Sequence, residues 1–232
     1  MINKIFSISQ ISKIIIIFLF SWNNLFANDI LIDAEVVDIK EKGNLIVASG
    51  SVRITDENNI EINGQEARYD KLNETITISG NVIFLDKDNN YRAKSDKIIF
   101  DRKKDIISSL GNSEIELLDK NNVNINLKIK GKNSYFNRSK ETIEIKENVI
   151  VEDYLNELEI YSKDINFNRK NSLFSSKENT LINDNFDNEF KLSSFNFNLE
   201  NKILKAEEIA LSDNQDNSIL LKNGYLDLNS NE

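Results

Sequence analysis

The chain has 232 residues, 29 Lys and Arg against 38 Asp and Glu (net −9), and no Cys, His or Pro. Without Cys there is no disulfide, no thiolate nucleophile and no Cys-ligated metal, and without His the usual general base and the commonest transition-metal ligand are gone. The 40% hydrophobic content is still enough for a globular core, so the balance points to a binding or structural protein, with no cofactor and no metal expected.

Residues 1–27 differ from everything that follows. Lys4 and Lys13 precede or open the apolar run Ile14 to Phe20, and Leu25-Phe26-Ala27 leads into polar Asn28-Asp29. A positive start, a short apolar core and a small residue before a polar stretch predict a secretory signal peptide cleaved after Ala27. The run is far shorter than the roughly 20 apolar residues a membrane span needs. Loss of the two lysines takes the net charge from −9 to −11. Export fits a bacterial periplasm, and residues 28–232 are expected to form one domain.

From Ile30 onward the chain repeats. One apolar column (Ile39, Tyr69, Phe100, Phe136, Phe167, Phe197, Leu228) closes strand-like runs, and several members are followed by a polar turn such as Tyr69-Asp70-Lys71 or Phe136-Asn137-Arg138. A second column (Gly50, Gly80, Gly111, Glu147, Glu178, Glu208) is read as opening the next strand. It lies eleven residues after the first column every time: 39 to 50, 69 to 80, 100 to 111, 136 to 147, 167 to 178 and 197 to 208. A unit of about 30 residues with one interval fixed marks a repeat architecture.

Within each unit apolar and polar residues alternate, as in Val52-Arg53-Ile54, Ile60-Glu61-Ile62, Ile76-Thr77-Ile78 and Phe195-Asn196-Phe197. This is the period of a strand with one dry face and one wet face, made from residues that favour strands. Clusters such as Asp86-Lys87-Asp88-Asn89-Asn90 and Asp119-Lys120-Asn121-Asn122 suit turns. About 13 antiparallel runs of nine or ten residues follow, stacked over roughly 60 Å and each long enough to bend across two walls. Apolar residues on the same side of every run predict an all-β trough or flattened barrel with an apolar interior. Composition and periodicity alone favour a filled β-sandwich or solenoid whose interior is only core, because an apolar strand face usually packs against another.

The segments Leu45 to Val52, Ile60 to Asp70 and Ile76 to Val82 resemble the organic-solvent-tolerance N-terminal domain family. That family comprises the periplasmic lipopolysaccharide-transport bridge and the periplasmic part of the outer-membrane lipopolysaccharide-assembly translocon. The match is clearest over Gly50 to Tyr69 and Gly80 to Phe100. Later units keep the spacing but carry Glu147, Glu178 and Glu208 where glycine is expected. The resemblance implies an elongated, twisted antiparallel β-jelly roll with an open apolar groove for the acyl chains of lipid A. Such units join edge to edge with other β-jelly-roll transport proteins and outer-membrane assembly partners. It also implies a periplasmic location associated with the outer membrane. The chain is then either a free-standing bridge or the periplasmic portion of a longer translocon ending near Glu232.

On this reading the groove is lined by Val52, Ile54, Ile60, Ile62, Ile76, Ile78, Val82 and Phe84, with Phe100, Phe136 and Phe167 near the bends. Ile32, Ala34, Val36, Leu226 and Leu228 mark the edge strands that pair with partners. Arg102-Lys103-Lys104, Lys128, Lys130, Lys132 and Arg169-Lys170 fall at turns or on wet faces, where charges are normally solvated. The acidic balance disfavours nucleic acid. A β-solenoid adhesin and a polysaccharide-acting enzyme using carboxylates such as Glu144 and Glu159 remain as alternatives.

Overall fold

The structure, a computed structural model, describes residues 30–119, 124–212, 215 and 217–228. The predicted signal peptide lies outside the described residues, as does part of the 119–122 turn cluster. Among the described residues fifteen strands form one antiparallel sheet. They are β1 (Leu31–Asp33), β2 (Val36–Lys40), β3 (Leu45–Thr55), β4 (Ile60–Asp70), β5 (Thr75–Asp86), β6 (Tyr91–Asp101), β7 (Ile106–Leu118) and β8 (Ile125–Asn137). Next come β9 (Thr142–Asp153), β10 (Leu158–Asn168), β11 (Leu173–Ser176), β12 (Thr180–Asp184), β13 (Glu189–Asn198), β14 (Ile203–Ser212) and β15 (Ser218–Asp227). Both β1 and β2 pair with β3, and both β11 and β12 pair with β10 and β13. Each of these pairs is one run broken in the middle, so the sheet consists of 13 long runs, as the alternation predicts.

Every run is bent. In β3 Ala48, Val52 and Ile54 are buried, so the inward alternation keeps its phase across Gly50-Ser51. There both residues are left-handed (φ 78° and 47°), as are Gly80-Asn81 in β5, Gly111-Asn112 in β7 and Glu147-Asn148 in β9. Pairing shifts register at the same places. Two successive left-handed residues form a bulge that turns the strand while keeping its apolar side inward. The second sequence column therefore marks a corner in mid-strand, which corrects its reading as a strand opening. Glycine leads three of these pairs because a side chain at positive φ is strained.

The neighbouring runs take the same corner with a small residue: Gly64, Ser95, Gly131, Ser162, Ser193 and Gly224. A Cβ on Gly64 would stand 2.7 Å from Ile78 Cγ1, and one on Gly131 2.5 Å from Ile145 Cγ2. Smallness there serves close strand approach, since neither glycine has positive φ. Ser95 also donates its hydroxyl to the Leu110 and Gly111 carbonyls, each at 2.9 Å.

The corners fold the sheet along its length into two facing walls. Wall A contains the half of each run on the Tyr69, Phe100 and Phe136 side of the corner, and wall B the other half. Phe84 on β5 is level with Ala93 on β6, and Phe100 lies seven residues further along β6. In a flat sheet that interval is about 23 Å. The Phe84 and Phe100 rings nevertheless meet edge to face, 5.8 Å between centroids. A single apolar core runs from Ala48 to Ile209 between the walls.

Many hairpin turns are closed by the Asp or Asn that ends the preceding strand. Asp70 accepts the Asn73 amide, Asp86 that of Asn89, Asp101 that of Lys104, Asn137 that of Lys140 and Asn168 that of Asn171, all at 3.0–3.1 Å. Each turn is also bonded to the turn before it, as in Arg102 N to Glu74 O, Arg138 N to Asp105 O and Arg169 N to Glu141 O. The turns so stack into two continuous rims, one per wall. Among the described residues the sheet does not close into a barrel: β1 and β2 have only β3 beside them, and β15 only β14.

Candidate functional site: interior, seam and mouth

All eleven residues predicted to line the groove point between the walls. None is more than 5% exposed. Val52, Ile54, Ile60, Ile62, Val82 and Phe84 lie on wall B, and Ile76, Ile78, Phe100, Phe136 and Phe167 on wall A. The three aromatics sit one residue before the end of their strands, beside the hairpin turns of wall A and far from the corners. Over this stretch side chains from the two walls touch and fill the interior.

The rims meet in a seam. Arg138, in the β8–β9 turn of wall A, donates Nε to Asp86 Oδ2 on wall B at 2.6 Å and an outer nitrogen to Asp105 at 2.6 Å. Its side chain is 14% exposed and that of Asp86 fully buried. Burial pulls the Arg138 pKa down, but the two carboxylates overcome it and hold the value above the ordinary one. One turn further on, Arg169 donates to the Asn89 carbonyl at 2.6 Å, and its other outer nitrogen is buried with no partner among the described residues. Below the arginines Tyr91 packs on Phe136. Arg169 lies over the Phe136 ring and Arg138 over the Phe100 ring, 5.6 and 5.9 Å from the centroids. The buried Tyr91 hydroxyl also lacks a partner, and burial pushes its pKa up.

Past the seam the walls diverge. A cavity of about 290 Å³ opens between them at the C-terminal end. Leu158, Phe190 and Leu211 of wall B and Phe197, Leu226 and Leu228 of wall A form its floor. Asn156, Asp184, Asn188, Lys202 and Asp227 form its rim. An apolar floor inside a polar rim suits the tail of an amphiphile. Leu226 and Leu228, expected at an edge for partner pairing, thus face into this mouth. Ile32 and Ala34 lie partly buried against the core, whereas Val36 is 54% exposed.

The outer face of wall B carries a belt of ion pairs across β6 to β9. Lys94 reaches Glu114 and Glu116 at 2.8 and 3.1 Å, Arg92 pairs with Glu116, and Lys130 meets Glu152 at 2.6 Å. Hydrogen bonds from Lys130 and Tyr154 hold the Glu152 carboxyl below its usual range. Lys128 and Lys130 therefore serve as cross-strand partners. Glu144 faces out from wall A beside Lys146, and Glu159 faces out from wall B with the Tyr161 hydroxyl. The fold does not bring these two carboxylates into one cleft. Among the described residues no cluster of acidic side chains has the makings of a metal site.

Sequence reasoning missed the corner glycines and serines of β4, β6, β8, β10, β13 and β15, although their spacing (64 to 95, 95 to 131, 131 to 162, 162 to 193, 193 to 224) follows the repeat. It also placed Arg169 among solvated charges, whereas the fold tucks it into the seam.

No family model matches the chain, and no curated protein matches it. Among solved structures it is similar to the crystal structure of LptH, the LptA homologous periplasmic component of the lipopolysaccharide transport device from Pseudomonas aeruginosa. The two share 13% identity with a TM-score of 0.44, over 51% of this chain and 82% of the other.

Proposed function

We propose that the chain is a periplasmic lipopolysaccharide-transport protein that shelters lipid A acyl chains between its two walls. One observation carries the reading: an unbroken apolar interior that opens, at the C-terminal end, into a mouth floored by Leu158, Phe190, Phe197 and Leu226 and rimmed by polar groups. The sequence resemblance over Gly50 to Phe100 supports the same reading. Sheltering a chain from water is worth about 0.8 kcal/mol per methylene, so even partial cover holds a lipid firmly. The units present closely similar walls, so a tail held equally at each step can move along without a deep trap. The direction of movement must come from partners.

A photo-crosslinking residue at Phe190 or Leu226 is expected to trap lipopolysaccharide in cells, while one at outward-facing Glu159 is not. Crosslinks to protein alone at both mouth positions would reject the reading.

A second reading concerns the edges. Among the described residues β1 and β2 on one side and β15 on the other have unpaired backbone, with Val36, Val37, Ile219 and Tyr225 exposed on or beside them. Open edges recruit further strands, and so provide a means of joining other β-jelly-roll units end to end. Proline at Val36 is expected to reduce the size of the assembly measured by sedimentation, and an unchanged assembly would count against edge pairing.

A further inference from the structure

A tail longer than the mouth can enter only if the walls part, and the seam is what fastens them. The negative charge at the seam is unevenly shared. Arg138 has two carboxylates, but Arg169 bonds only a carbonyl and keeps a buried nitrogen unpartnered, close enough to Tyr91 and Asp86 to sense both. Burial pulls the Arg169 pKa below its ordinary value even with Glu141 and Asp86 nearby, as expected for a cation with too little counter-charge. The buried Tyr91 hydroxyl is a further unused donor. Two donors of Arg138, one of Arg169 and the Tyr91 hydroxyl thus gather at the seam, where Asp86 and Asp105 serve Arg138 alone.

We propose that Arg138, Arg169 and the Tyr91 hydroxyl form a receiving site for the anionic phosphate of a lipid headgroup, which displaces Asp86 and so breaks the ion pair that ties Arg138 to wall B. The proposal rests on the acyl-carrier reading and assigns it a gate. Guanidiniums bind phosphate oxygens in pairs, with geometry a lone carboxylate satisfies less fully. The displaced Asp86 is not orphaned, because it keeps the amide and side-chain nitrogens of Asn89 at 3.1 and 2.8 Å. Exchange therefore costs one ion pair and returns at least one, while the released rims expose the apolar interior to the tail that follows the headgroup.

The test is calorimetric binding to the purified full chain of three probes: a water-soluble short-chain phosphatidic acid, phosphatidylcholine of the same chains, and inorganic phosphate. Arg169→Gln is expected to weaken phosphatidic acid binding about tenfold, and Asp86→Asn, which removes the competing charge, to strengthen it about tenfold. Phosphatidylcholine should be indifferent to both changes, and inorganic phosphate should bind more weakly than phosphatidic acid. Should Asp86→Asn fail to fold, Arg169→Lys carries the test, with a severalfold loss expected. Unchanged affinity for phosphatidic acid in these variants overturns the proposal. Inorganic phosphate binding as tightly as the lipid overturns it too, by showing a site for the free anion. Mouth crosslinks that persist in Arg169→Gln, with binding unchanged, reject the gate and leave the carrier standing. Their absence in the unaltered protein removes the carrier itself.

Discussion

The ring of Tyr91 on wall B lies against that of Phe136 on wall A, with centroids 4.5 Å apart and planes inclined by 30°. This contact plugs the interior just beneath the seam and leaves the Tyr91 hydroxyl buried without a partner. Tyr91→Phe should therefore raise stability, by about 1 kcal/mol, because a desolvated, unsatisfied hydroxyl is removed while the ring stays. Phe136→Ala should cost about 3–5 kcal/mol through the void it leaves. Urea denaturation of the two variants distinguishes these signs.

Asp86 and Arg138 form a buried pair, so removing one partner strands the other. Asp86→Ala should destabilise by about 3 kcal/mol, since Asp105 retains only part of the Arg138 charge. Replacing both, as Asp86→Leu with Arg138→Met, should recover most of that loss, because apolar side chains of similar size need no counter-charge. Equal losses in the single and double variants would show that the ion pair itself stabilises the seam.

Two glycines at corners differ in their reason for being there. Gly80→Ala should cost about 1–2 kcal/mol because its φ is +86°, whatever surrounds it. Gly64→Ala should cost stability through collision with Ile78, so its penalty should shrink in an Ile78→Ala background. Additive penalties for Gly64 and Ile78 would contradict this explanation.

Stability should be flat over the neutral range and fall at both extremes. With no His or Cys, nothing titrates near neutrality except a chain terminus. Glu61, Asp70, Asp101, Glu114 and Glu152 all have pKa values held below their ordinary ones. For Glu61 and Asp70 the chief cause is a hydrogen bond from Asn63 or Asn73, and for Asp101 and Glu152 one from Lys104 or Lys130. For Glu114, burial pushes upward and is outweighed by Lys94 and Lys128. A depressed carboxylate stabilises above its unfolded pKa, so this contribution is lost as pH falls below about 4. Lys94, Lys130 and Lys146 are raised by hydrogen bonds to Glu114, Glu152 and Glu144, and Tyr154 is pushed up to about 12 by Glu152. Groups with raised values stabilise below their unfolded pKa, and that contribution is lost as pH climbs past about 10. Melting temperature measured from pH 3 to 11 should trace a plateau with two shoulders, and a step between pH 6 and 8 would refute the assignment.

The alternation of Val52-Arg53-Ile54 or Ile76-Thr77-Ile78 was sufficient to place strands and their dry sides, because burial on one face imposes period two. The Asp and Asn residues that close the turns were equally readable, since their side chains act within three or four residues. Gly50-Ser51 and Gly80-Asn81 were misread as boundaries because residues that favour positive φ serve turns and mid-strand bulges alike. Local sequence does not separate the two. The seam was beyond reach for a different reason. Arg138 and Asp86, or Arg169 and Asn89, come together only through the fold of the whole sheet, and no short-range pattern links them. Filling of the interior was likewise invisible, because an alternating strand looks the same whether it faces a lipid or the opposite wall.

The sheet's pairing order has a bearing on how the chain reaches its native state. Every run between the first and the last pairs with the run before it and the run after it, so hairpins can be added one at a time as the chain emerges, with short loops to close at each step. The two cross-rim bonds are the exception, spanning 52 and 80 residues. Asp86 must therefore wait for Arg138, and Asn89 for Arg169, until those later turns have been laid down. During that interval the first half of the molecule is an unfastened sheet with its apolar side open to whatever is nearby.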